Sequence, residues 1–146
     1  MTALEPAIDT GHSPYHDLIG FRLVEWRADF ARAQLELTPD HHNRSGIVHG
    51  GVVLSMLDQA SGFCGLYCTV PGNTRLAVTV SLTTNFTGQA SEGVLTAIGE
   101  KVGGGRSIFF TRARLLGPDG AVLGLSQGVH RYRSGSESPE GVPQKR

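Results

Sequence analysis

Residues 51–66 set the strongest constraint on the fold. Val52, Val53, Leu54, Met56, Leu57, Ala60, Phe63, Cys64 and Leu66 cover most of a helical circumference, and a helix apolar nearly all round has to be buried. A chain of 146 residues has room for one core, so the rest of the sequence must wrap this helix. The rest reads as strands. Residues 31–37 alternate Ala31, Ala33, Leu35 and Leu37 against Arg32, Gln34 and Glu36, as a strand with one buried face does. They pair as a hairpin with residues 19–27, after a turn or short helix at 14–18. Strand patterns follow at 76–86, 94–102, 107–116 and 121–133, broken by Gly103-Gly104-Gly105 and Gly117-Pro118-Asp119-Gly120. The order is β-β-α-β-β-β-β, an α+β chain in which one long helix lies against a curled antiparallel sheet. One helix covers one face of a sheet, yet Ile108-Phe109-Phe110 offers apolar groups to both, which points to a homo-oligomer.

Thirteen basic and thirteen acidic residues cancel, which leaves no net basic field to drive nucleic-acid binding. Asp58 and Gln59 interrupt the apolar run 52–68 near its middle, so it is not a membrane span. The first 14 residues carry Glu5 and Asp9 and no basic start before an apolar core, unlike a secretory signal. With Cys64 and Cys68 one helical turn apart, small buried thiols are favoured over a disulfide, and a cytoplasmic location fits best. The 20 glycines follow no repeat and mark turns. Residues 1–12 read as a flexible N-terminal segment, 13–133 as the domain, and the Ser-, Pro- and charge-rich 134–146 as a disordered tail.

Along the apolar helix runs one polar or small seam: Ser55, Asp58 or Gln59, and Gly62. A carboxylate in such surroundings needs a hydrogen-bonding partner or a raised pKa, both common where chemistry is done. The helix is entered through Asn43-Arg44-Ser45-Gly46-Ile47-Val48-His49-Gly50-Gly51. Gly50 and Gly51 let a ligand approach free N–H groups at a helix N-terminus, a setting suited to an oxyanion. Helix-entry glycines also serve plain packing, and a buried Asp can simply tie a loop. His41, His42 and His49 match no zinc spacing, so no metal is expected. Gly103-Gly104-Gly105-Arg106-Ser107 lacks the lysine and spacing of a phosphate loop and reads as a hairpin turn.

The pattern Asn43-x-x-Gly46-x-x-His49-Gly50-Gly51 followed by Asp58, with this strand order, resembles the hotdog-fold acyl-CoA thioesterases of the phenylacetic-acid-degradation (PaaI) and 4-hydroxybenzoyl-CoA type. The resemblance spans nearly all of 13–133. It implies a hotdog fold, paired as dimers or dimers of dimers, with active sites between subunits and no cofactor beyond the CoA of the substrate. It also implies roles. The Gly50 N–H polarises the thioester carbonyl, Asn43 helps place the carbonyl or water, and His49 mainly supports the loop and helix entrance. Asp58, from the partner subunit, acts as general base or nucleophile. Thr79, with Ser81 as a neighbouring alternative, positions water. Arg106 and Ser107 are the candidates to meet a CoA phosphate, against the alternative of a solvated turn. Phe63, Tyr67 and Phe86 are possible pocket liners, although such aromatics are more often core. Tyr15 and His16 are candidates to cap a neighbouring subunit's pocket. The leading expectation is hydrolysis of a small or medium acyl- or aryl-acyl-CoA. A non-catalytic acyl-CoA sensor and an enoyl-thioester hydratase are the alternatives on the same fold, and acyl carrier protein is an alternative to CoA.

Overall fold

The structure, a computed structural model, describes residues 2–144. In chain order its elements are α1 (Pro14–Ile19), β1 (Arg22–Arg27), β2 (Phe30–Glu36), a single 3-10 turn (Pro39–His41), α2 (Gly50–Cys64), β3 (Asn73–Thr74), β4 (Ala77–Phe86), β5 (Val94–Gly104), β6 (Ile108–Leu116), β7 (Val122–Tyr132) and β8 (Val142–Pro143). Six strands form one antiparallel sheet in the order β1-β2-β5-β6-β7-β4. This is the expected helix wrapped by a sheet, with the short β3–β8 pair added.

Alternation decides which side chains meet the helix. Ala31, Ala33 and Leu35 on β2, Leu95 and Ala97 on β5, and Leu115 on β6 are fully buried against Met56, Leu57, Ala60 and Cys64 of α2. The approach is close: a methyl group on Gly99 of β5 would lie 2.3 Å from the Ala60 carbonyl oxygen, so only glycine fits there. α2 stops at Cys64, earlier than its apolar pattern suggests, and the buried Tyr132 hydroxyl donates to the Gly65 carbonyl at 2.7 Å. Cys68 therefore lies past the helix end and does not stack with Cys64. Both thiols are free, and burial pushes that of Cys64 up to about 12.

Both chain ends depart from expectation. Residues of the N-terminal segment dock on the hairpin: the Ile8 N–H donates to the Leu23 carbonyl, the Glu5 N–H to Gln34 Oε1, and Glu5 pairs with Arg32. Gln34, on the polar face of β2, is thereby fully buried. The segment 134–144 is likewise held. Arg75 donates to the carbonyls of Ser136 and Glu137, the Leu76 N–H donates to Ser136 Oγ, and β8 pairs with β3. These ends are ordered by polar and backbone contacts, which leave no hydrophobic period for a sequence reading to detect. Residues 145–146 of the expected tail lie outside the described residues.

β4 forms one edge of the sheet. Val78, Val80 and Phe86 on it are exposed, as are Ile108 and Phe110 of β6, while Phe109 between them is buried. An apolar edge strand of this length is a template for pairing with another chain.

Candidate active site

The loop before α2 is shaped by its own polar groups. Asn43 Oδ1 accepts from the Ser45 N–H at 2.8 Å and the Ile47 N–H at 3.3 Å, folding the backbone into an Asx-type turn. Its carbonyl oxygen is thus occupied within the loop, and its amide nitrogen is the group left to meet a ligand. His49 is the N-cap of α2: its Nδ1 accepts from the Gly51 N–H at 2.8 Å, which fixes the tautomer with the proton on Nε2. Between them stands Gly50, the first residue of the helix, whose N–H has no acceptor among the described residues. The Phe86 ring packs over it, 3.4 Å from where a side chain would begin. Ile47, Val48, Gly50, Val53, Phe86, Thr87, and their neighbours line a cleft of about 560 Å³ here.

Two turns along α2, Asp58 receives a hydrogen bond from the Thr79 hydroxyl, Oγ1 to Oδ1 2.6 Å. A bulge between Thr79 and Ser81 aims Thr79, and not Ser81, at the helix. Asp58 Oδ2 has a longer contact, 3.4 Å, from Gln59 Nε2. Gln59 in turn meets His16 of α1 at 2.6 Å, and Tyr15 meets Ser55. Tyr15 and His16 thus cover the seam of α2 in their own chain. Phe63 packs in an aromatic cluster with Phe21 and Trp26, and Tyr67 meets Trp26 edge-on, whereas Phe86 packs over Gly50.

Behind Thr79 lies a residue that the sequence reading passed over. His130 of β7 is buried, stacked on Phe109, with Nδ1 3.4 Å from Thr79 Oγ1 and Nε2 3.3 Å from Thr111 Oγ1. Burial holds its pKa below the ordinary histidine value, with the Asp58 charge opposing in part. The signal was available: His130 falls in the inward phase of β7 with Ser126, Gly128 and Tyr132, and a buried histidine among core positions calls for polar partners.

Arg106 and Ser107 sit in the exposed turn between β5 and β6. The Ser107 carbonyl accepts from the Tyr132 N–H, and Tyr132 pairs with Ala77, so this turn lies at the Thr79 end of the sheet. Neither touches Asp58 or Gly50 through a hydrogen bond. A hollow of about 650 Å³ on the outer sheet face, lined by Glu100, Arg112, Arg114 and Leu125 among others, contains none of these residues. Among the described residues no three His, Cys, Asp or Glu side chains gather as metal ligands, and no helix is long and apolar enough to cross a membrane.

The sequence model of the Thioesterase superfamily matches residues 45–123, more than half of the chain and inclusive of Gly50, Asp58 and Thr79. The chain belongs to the thioesterase superfamily. As a superfamily member it is a thioester hydrolase. A Mycobacterium tuberculosis protein named "Putative esterase Rv1847" is 29% identical over 94 residues, 64% of this chain and 67% of that protein. The solved structure of that esterase-named protein superposes with a TM-score of 0.74 at 23% identity, covering 83% of this thioesterase and 97% of the other chain. The Escherichia coli PaaI protein of the phenylacetic acid degradation operon superposes with a TM-score of 0.73 at 19% identity, covering 83% and 85%. At these identities the likeness establishes the shared hotdog fold.

Proposed function

We propose that this thioesterase hydrolyses small or medium acyl- or aryl-acyl-CoA thioesters at a site shared by two copies of the chain. The observation that carries the reading is the pairing of a free Gly50 N–H at a helix start with an Asp58–Thr79 hydrogen bond two turns away. The donor and the carboxylate serve complementary halves of one reaction. Hydrolysis builds negative charge on the carbonyl oxygen, and a preorganised N–H at the positive end of a helix stabilises that charge by about 3 kcal/mol. Asp58 takes a proton from the attacking water or attacks the carbonyl carbon itself. By the first route water's oxygen bonds to the carbonyl carbon, the C–S bond breaks, and the sulfur takes up the proton and leaves as the CoA thiol; by the second the C–S bond breaks to leave an Asp58–acyl anhydride, which water hydrolyses to free the acid and restore the carboxylate. Asn43 Nδ2 helps place the carbonyl or water, His49 holds the helix entrance in shape, and Thr79 leaves one Asp58 oxygen facing the substrate.

Within one chain these groups cannot meet. Eight residues of α-helix separate Gly50 from Asp58, about 12 Å along the axis, too far for one thioester carbonyl to contact both. β4 runs opposite to α2, with Phe86 beside Gly50 and Thr79 beside Asp58. A second copy pairing antiparallel along the β4 edge would bring its Gly50–Phe86 end to the Asp58–Thr79 end of the first, and two equivalent sites follow from the two-fold axis. Arg106, Arg131 and Arg133 are exposed near the Thr79 end, where the anionic phosphates of CoA would find cations. The test is thiol release from a panel of acyl- and aryl-acyl-CoA esters by wild type and Asp58→Ala. The wild type should be active and the variant slower in kcat by about 100-fold or more. Binding of CoA esters without thiol release in either protein would replace hydrolysis by sensing. Equal activity would remove Asp58 from the mechanism.

A further inference from the structure

We infer that His130 is a positioning residue for the reaction, acting through Thr79 as the middle of a one-directional hydrogen-bond chain that ends on Asp58. The inference rests on the catalytic role given above to Asp58. Direction follows from counting protons. Thr79 has one hydroxyl proton, and at 2.6 Å from Asp58 Oδ1 that proton belongs to the carboxylate contact. Toward His130 the Thr79 oxygen can therefore only accept, so Nδ1 carries hydrogen. A buried ring with depressed basicity is neutral and has one N–H, which leaves Nε2 bare to accept from the Thr111 hydroxyl. The order is Thr111 to His130 to Thr79 to Asp58.

The surroundings are built to this arrangement. Phe109 stacks on the imidazole at 4.9 Å between centroids, with 13° between planes, so the ring is fixed in plane. Opposite the nitrogen that accepts stands Gly128. A methyl group there would lie 2.6 Å from Thr111 Oγ1 and 2.9 Å from His130 Nε2, so the absence of a side chain keeps the Thr111–His130 contact possible. At 3.3–3.4 Å the two histidine contacts are long, as catalytic hydrogen bonds often are before they tighten in the substrate complex. The chain has a chemical consequence: it locks the Thr79 hydroxyl toward Oδ1 and leaves Oδ2 as the oxygen that meets water or the carbonyl carbon.

The test combines a spectroscopic and a kinetic readout. Nitrogen NMR of the wild type should show His130 neutral with Nδ1 protonated; a proton on Nε2 would overturn the direction of the chain. In steady-state hydrolysis of the best acyl-CoA substrate, His130→Phe should lower kcat by roughly tenfold with KM within about twofold. His130→Asn, whose amide nitrogen replaces the Nδ1 donor, should recover most of that loss and guards against a packing defect in the Phe variant. Thr79→Val combined with His130→Phe should be no slower than Thr79→Val alone, because both act on one hydroxyl. Losses that multiply, or an Asn variant no better than Phe, would overturn the relay while leaving Asp58 intact. If Asp58→Ala itself keeps wild-type activity, the catalytic reading fails first and the relay with it.

Discussion

Gly50 can be stripped of its N–H without disturbing the helix it opens. It occupies the first helical position, where proline is favoured, and the preceding His49 has φ −66° and ψ 139°, the extended conformation a residue before proline adopts. Gly50→Pro should therefore fold and assemble like wild type yet lose about 100-fold in kcat, measured by thiol release beside circular dichroism and size-exclusion chromatography. Full activity in that variant would remove the N–H from the mechanism. At His130 the linkage to stability has a definite sign. The folded chain holds this ring neutral below its ordinary pKa of 6.5, so below that pH the unfolded chain binds a proton the folded chain refuses, and stability falls with pH. Urea midpoints measured from about pH 7 down to about pH 5.5 should drop more steeply for wild type than for His130→Asn. Equal slopes would mean that the ring charges freely in the folded state. Asp58 and the helix-entry glycines were legible from sequence because their residue types conflict with their surroundings. His130 was not singled out, because a histidine in the inward phase of a strand follows the same alternation as its apolar neighbours.

Elements were legible to the degree that they bury apolar faces. α2 buries residues at helical spacing, and β2, β6 and β7 largely alternate buried with more exposed residues, while β4, the exception with no buried residue, was legible from its β-branched run. The boundaries of α2 and the six long strands lie within three residues of the sequence reading. The tail is the opposite case. Ser136 is buried, and its carbonyl, its hydroxyl and the Glu137 carbonyl take the guanidinium of Arg75 and the Leu76 N–H, contacts that any polar sequence could make. Removing residues 134–146 would strand those donors beside the start of β4. The truncated chain should be less stable by about 1–3 kcal/mol in urea unfolding. A midpoint unchanged from wild type would mean that the tail contributes nothing to the fold. The same logic explains α1, whose Tyr15 and His16 cover the polar seam of α2 through Ser55 and Gln59, a contact without a periodic signature.

At the scale of the whole molecule, β4 is paired with β7 on one side only, its outer edge and most of its side chains are left uncovered, and the two halves of the proposed chemistry stand at opposite ends of that edge. The sequence, through the family it resembles, already implied a site between subunits, and the spacing of Gly50 and Asp58 on one helix gave their separation; the reversed course of β4 beside α2 emerges only in three dimensions. The sharing can be tested by mixing subunits. Asp58→Ala keeps the N–H donor and Gly50→Pro keeps the carboxylate, so a mixed dimer contains one site with both groups and one with neither. When the two inactive variants are unfolded together in equal amounts and refolded, random pairing makes half the dimers mixed, and thiol release should return to about a quarter of the wild-type rate. A refolded mixture no more active than its parents, with assembly intact, would contradict a site built from two copies.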